Sequence, residues 1–140
     1  MSKQLAYNTN LAAEFYVLSA LHRLGADANL TLGNKKPVDI AVVRGAGDSI
    51  TIDVKGLAGT TAWPVDNVVL GGEASPRHFI VFVCFVGQIG NPQVLPEVWI
   101  IPSTKLKPLV YCAPGGRRVV QLSKLRAEAG DFRNSWRLII

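Results

Sequence analysis

Sulfur and imidazole are scarce in this chain, which has two cysteines and two histidines among 140 residues. Cys84 falls inside an apolar run and Cys112 in an expected loop, and no CxxC spacing joins them. Both read as unpaired thiols, Cys84 in the core, so a zinc site or a disulfide framework does not organise the fold. His22 sits on the fringe of a helical apolar arc and reads as structural, and no G-x-S-x-G elbow accompanies either His22 or His78. Phosphate-cradling glycine loops are missing too: Gly45-Ala46-Gly47 lacks the later glycine of a dinucleotide loop, and G-x-x-x-x-G-K-[ST] does not occur. No apolar stretch reaches the roughly 20 residues that cross a bilayer. The polar start MSKQLAYNTN is unlike a signal peptide, so a cytoplasmic protein is the expectation. Internal repeats and low-complexity tracts are also absent.

What is present suits one domain over residues 1–140. With 49% hydrophobic residues, a chain of this length can bury a core without staples. Charge is uneven along it. From position 105 onward Lys105, Lys107, Arg117, Arg118, Lys124, Arg126, Arg133 and Arg137 stand against Glu128 and Asp131, a net of +6. The remainder holds seven basic and eight acidic residues, a net of −1, which recovers the total of +5. A basic C-terminal part suits a polyanion such as nucleic acid, although a solvated basic surface gives the same count.

Periodicity places the elements. Residues 10–24 (NLAAEFYVLSALHRL) put Leu11, Phe15, Val17, Leu18, Leu21 and Leu24 on one arc at about 100° per residue, which predicts an amphipathic helix stopped by Gly25. Glu14 falls near the centre of that arc. A carboxylate aimed at a core needs a cation, a metal or hydrogen-bond donors. Glu14 therefore reads either as a buried salt bridge, with Lys55 as one partner, or as a carboxylate that approaches a metal. Strands are predicted over 28–32, 38–44, 49–55, 78–86 and 94–101. The run HFIVFVCFV between Pro76 and Gly87 has the continuous apolar character of a central strand, while Pro96 marks the last strand as an edge or a bulge. A short helix is expected over 123–129, and residues 136–140 are expected to pack back on the domain.

Two carboxylates and an amine then fall on neighbouring strands, as Pro37-Val38-Asp39 and Asp53-Val54-Lys55. Carboxylate oxygens can hold a hard divalent ion and leave positions open for water and phosphate. Alternate strand residues share a face, so Asp53 and Lys55 point the same way. The hairpin register decides the rest. If Gly45-Ala46-Gly47-Asp48 is an open four-residue loop, Asp39 pairs with Val54 and turns away from Asp53. A three-residue loop over 45–47, or an equivalent bulge, pairs Asp39 with Asp53, and that register is the one predicted.

With Glu14 on a helix, Asp39 on one strand and Asp53-Val54-Lys55 on the next, residues 10–101 resemble the PD-(D/E)xK nuclease superfamily, which includes restriction endonucleases and Holliday junction resolvases. The resemblance implies an α/β, restriction endonuclease-like three-layer core, with a mixed central β-sheet flanked by helices in the order α-β-β-β-α-β. It implies Mg²⁺ or Mn²⁺ held by Asp39, Asp53 and the Val54 carbonyl, an accessory part for Glu14, and Lys55 as the catalytic lysine of a DNA phosphodiester hydrolase. Many such enzymes place two copies on a duplex, so the resemblance allows a homodimer. Two departures stand out. The proline lies two positions before Asp39. The expected crossover helix, 56–77, contains Gly56, Gly59, Pro64, Gly71, Gly72 and Pro76, which predicts a loop or insertion instead. Trp63 in that segment reads either as a base-stacking aromatic or as a packing anchor. Lys35, Lys36 and Arg77 are candidate phosphate contacts. A second reading is a non-catalytic nucleic-acid-binding or assembly module that keeps the nuclease-like fold; a third is an accidental D-x-K.

Overall fold

Along Asp48–Leu57, Ile50, Ile52 and Val54 are buried while Ser49, Thr51, Asp53 and Lys55 between them stay partly accessible. That period of two is a strand with one face in a core. The computed structural model describes residues 3–31 and 38–140. Within them the chain runs α1 (Lys3–Arg23), β1 (Asp27–Leu30), β2 (Ile40–Gly45), β3 (Asp48–Leu57), β4 (Ala62–Pro64), β5 (His78–Cys84), β6 (Glu97–Pro102), β7 (Val110–Cys112), β8 (Arg118–Gln121) and α2 (Leu122–Glu128). The main sheet has the order β1-β2-β3-β5-β6 and a smaller one the order β4-β8-β7. β1, β2 and β3 are antiparallel neighbours, β3 runs parallel to β5, and β5 is antiparallel to β6, so the main sheet is mixed. The result is a three-layer α/β arrangement around a mixed sheet. No helix among the described residues is long and apolar enough to cross a membrane.

α1 covers one face of the main sheet. Its helix begins at Lys3, well before the predicted start, and closes at Gly25, whose φ of +81° lets the Gly25 and Ala26 amides bond back to His22 and Leu21. The buried line is Thr9, Ala13, Val17 and Leu21, with Glu14 beside it. Phe15 and Leu24, expected on the buried arc, are 53% and 49% exposed. Close approach explains the narrower stripe. A Cβ at Gly56 of β3 would lie 2.9 Å from the Thr9 carbonyl and 3.0 Å from the Ala13 Cβ, so the helix sits on the sheet through its smallest side chains. The core on this side joins them to Ile40, Val42, Ile50, Ile52, Val54 and Val81, and Ile139 packs back into it as expected.

The opposite face is covered over β5 and β6. There Ile80, Phe82, Cys84, Trp99 and Ile101 meet Trp63 of β4, Val120 of β8 and Leu122 and Leu125 of α2. The segment between β3 and β5 forms β4 and one 3-10 turn instead of a crossover helix, as its prolines and glycines require. Trp63 is 1% exposed, donates its Nε1–H to the Val83 carbonyl at 3.2 Å, and meets Phe82 and Trp99 edge-on. It is the packing anchor and not a base-stacking residue. β6 begins directly after Pro96 and is an edge strand. Cys112, expected in a loop, ends β7. Arg126 and Arg133 both approach Glu97 of β6, at 2.6 and 3.6 Å, and the Arg126 bond above all holds the Glu97 carboxyl below its usual range.

Two outcomes follow for stability. Gly56→Ala should cost about 1–3 kcal/mol because backbone must give way. Gly59→Ala, with nothing within 4 Å of its added Cβ, should stay within about 0.5 kcal/mol; urea unfolding midpoints compare them. For Glu97 the folded pKa is depressed, so its contribution is present above the unfolded carboxyl pKa and lost as pH falls through the folded value. Glu97→Gln should therefore melt lower than the parent at pH 7, with the gap closing toward pH 3.

Candidate active site

The β2–β3 hairpin sets the geometry. Ile40 pairs with Ile52, Ala41 with Thr51, Val42 with Ile50 and Val43 with Ser49, and the ladder then skips Arg44 so that Gly45 pairs with Asp48. A two-residue turn, Ala46-Gly47, with Gly47 at φ +74°, combines with a bulge at Arg44 to give the register that a three-residue loop would have given. The Arg44 side chain is tied to Asp48 at 3.0 Å and to the Leu138 carbonyl at 3.0 Å.

Asp39 lies one residue before β2. Its N–H donates to the Ile52 carbonyl at 3.0 Å, and its Oδ2 accepts the Val54 N–H at 2.7 Å, so its contacts bracket Asp53 on β3. Thr31, following β1, fixes the backbone here: its N–H donates to the Asp39 carbonyl at 2.9 Å, and its hydroxyl reaches the Val38 and Asp39 carbonyls. Ile40 faces the α1 core, so alternation gives Asp39 the side that Thr51, Asp53 and Lys55 share. Over β1–β3 this side is open, with Asp27, Asn29 and Ser49 exposed and Val43 44% exposed.

Two further residues enter the site that sequence reasoning did not assign to it. His78 Nε2 lies 3.3 Å from Asp53 Oδ2, and its Nδ1 lies 2.7 Å from Thr51 Oγ1. The parallel register explains this, because Thr51 stands across from His78 and Asp53 is two residues further along the same face. The position of His78 at the start of the central strand was the available signal. Asn67 Oδ1 lies 3.5 Å from Lys55 Nζ, a long contact. Nothing periodic in the crossover points to Asn67.

The turn that carries Asn67 is held by two arginines. The Arg118 guanidinium donates to the carbonyls of Val65 at 3.1 Å, Val68 at 2.9 Å and Asp66. The Arg118 N–H bonds Asp66 Oδ1 at 2.7 Å and Arg117 Nε bonds Oδ2 at 3.1 Å, and these donors, the Arg118 amide foremost, hold the Asp66 carboxyl below its usual range. Lys124 is likewise paired with Glu128 at 2.6 Å. Much of the C-terminal positive charge is thus engaged in intramolecular ion pairs at the surface. Lys105, Lys107 and Arg137 have no ion pair among the described residues. Arg77 is held by Asp48 at 2.7 Å with its side chain 56% exposed. Lys35, Lys36 and Pro37 lie outside the described residues.

Glu14 is 7% exposed on α1. It follows Ala13, which meets Gly56 of β3. Among the described residues no group of three His, Cys, Asp or Glu side chains is gathered to hold a metal ion, so Glu14, Asp39 and Asp53 are not a ready three-carboxylate cluster. Asp39 and Asp53 nonetheless form an oxygen-donor pair, with Oδ2 of each within reach of a protein donor. Such a set fits a hard cation that retains most of its waters.

Comparison with known proteins bears on the fold. No family model matches the chain and no curated protein matches it. Among solved structures it is similar to a bacterial homing endonuclease, I-Ssp6803I, with a TM-score of 0.54 and 15% identity over 98% of this chain and 91% of that one. The chain therefore shares its overall fold with that endonuclease. Arg118→Leu is expected to free the 65–68 turn while leaving the main sheet intact, read as faster amide hydrogen exchange at Val68 with unchanged protection at Val81.

Proposed function

We propose that this protein is a metal-dependent endonuclease of the PD-(D/E)xK type, hydrolysing DNA phosphodiesters. The observation that carries the reading is the bulged β2–β3 register, which brings Asp39 against β3 beside Asp53 and Lys55. The likeness in fold to a homing endonuclease supports the same class. Asp39, Asp53 and the Val54 carbonyl would hold Mg²⁺ or Mn²⁺. When bound, such an ion lowers the pKa of water and stabilises charge on the phosphate.

The chain's own residues supply the rest. The Val54 N–H keeps Asp39 in place. Lys55, on the same face as Asp53, presents its ammonium to the attacking water and to the charge developing on the phosphate. Glu14, buried on α1, is the accessory carboxylate of this reading. Arg77, Lys105 and Lys107 contact the phosphate backbone, and a homodimer would address both strands of a duplex. The engagement of many C-terminal basic residues in internal pairs favours one second reading, a non-catalytic nucleic-acid-binding or assembly module.

Cleavage of plasmid, linear, branched and single-stranded DNA and of RNA, with Mg²⁺ or Mn²⁺, separates the two. Metal-dependent cutting that falls at least about 100-fold in both Asp53→Ala and Lys55→Ala is expected. Binding without cleavage would select the module instead.

A further inference from the structure

The site contains a histidine that the proposed chemistry does not use. His78 opens β5, and its ring lies between Thr51 and Asp53 on the accessible side of β3. Its side chain is 21% exposed and that of Asp53 25%, so both are sheltered without being sealed off.

The proton positions follow from the partners. An ionised carboxylate only accepts hydrogen bonds, so the nitrogen facing Asp53 must carry the proton. In the neutral ring the other nitrogen is then an acceptor, which the Thr51 hydroxyl satisfies as donor. Thr51 is β-branched, with few side-chain rotamers, and stands directly across from His78 in the parallel ladder. The hydroxyl therefore fixes the ring, and the ring in turn fixes one oxygen of Asp53. Asp53 Oδ1 has no hydrogen-bond partner among the described residues.

A matching arrangement exists on the other carboxylate. Asp39 Oδ2 is held by the Val54 N–H at 2.7 Å. A backbone amide orients one carboxylate, and an imidazole orients the other. A ligand carboxylate held by such an outer partner loses less freedom on binding a cation, and loss of the partner typically weakens metal binding by about 10- to 100-fold.

We infer that His78, held by Thr51, is a positioning residue that aims Asp53 at a divalent cation. This rests on the metal-site reading proposed above. It predicts that His78 sets metal affinity without touching nucleic acid, and that the side chain's two hydrogen bonds matter more than its charge. Glutamine tests that distinction, since its amide can donate toward Asp53 and accept from Thr51 without ionising.

The experiment is Mn²⁺ titration of the metal-free protein, followed by electron paramagnetic resonance at pH 7.5 without nucleic acid. Circular dichroism and thermal midpoints check the fold of each variant. Wild type should bind Mn²⁺, and Asp53→Ala should abolish the binding. His78→Leu should weaken it about tenfold or more, Thr51→Val by a smaller factor, and His78→Gln by less than threefold. Equal affinity in wild type and a folded His78→Leu would overturn the inference while leaving the metal site standing. Mn²⁺ binding by neither wild type nor any variant would instead overturn the metal-site reading, and the role of His78 with it. Should His78→Leu fail to fold, Thr51→Val carries the test alone: unchanged affinity there overturns the relay.

Discussion

Skipping Arg44 in the β2 ladder moves every pairing between Ile40 and Val43 by one residue relative to the turn that starts the hairpin. In a sheet with one buried face, a shift of one residue exchanges core and solvent sides. Without the bulge, continuing the Gly45–Asp48 pairing would set Ile40 against Asp53 and Asp39 against Val54. The isoleucines of β2 and β3 would no longer match, and the two carboxylates would part. Burial of Ile40, Val42, Ile50 and Ile52 and the approach of Asp39 to β3 therefore have one cause. The hydrophobic core enforces the geometry that the polar site needs.

The second constraint is how the far side of the main sheet is shared. Over β5 and β6 it is buried by the small sheet, through Trp63, Phe82 and Trp99. Over β1–β3 it stays open. Lys55 stands at the boundary, paired in register with the buried Phe82 on one side and adjoining the open strands on the other. An ammonium at such an edge keeps its water on one side, while the Asn67 turn limits its reach on the other. The crossover that would ordinarily have been a helix is what makes this boundary, because it enters the second layer as a strand.

Much of the fold was legible in the residues. β-branched runs located β2 and β3, and the apolar run 78–86 marked an interior strand, β5. Pro96 correctly announced an edge strand. The stripe on α1 was read too broadly, since periodicity reports which residues lie on one side of a helix but not how closely a glycine lets that helix approach. In sequence Gly56 reads as a helix breaker, whereas in the fold it is the point where α1 rests on β3. The spacing of Asp39, Asp53 and Lys55 was legible as a candidate site because strand register follows countable rules. His78 and Asn67 were not seen, since their places depend on a parallel pairing and on the course of an irregular crossover. The charge count does not distinguish an arginine caging carbonyls from one facing solvent.

The tie between Arg44 and the Leu138 carbonyl spans 94 positions of sequence. Beside it, Ile139 is fully buried in the core that α1 and the hairpin share. The hairpin is local and can close within microseconds, but the residue that defines its bulge is clasped by a segment made much later. Until positions 138 and 139 join it, the apolar side of the hairpin is incompletely covered. Contacts of such long range slow folding and lengthen the time in which unpaired strand edges are exposed. The strands that carry the candidate site thus depend for part of their cover on a segment distant in sequence.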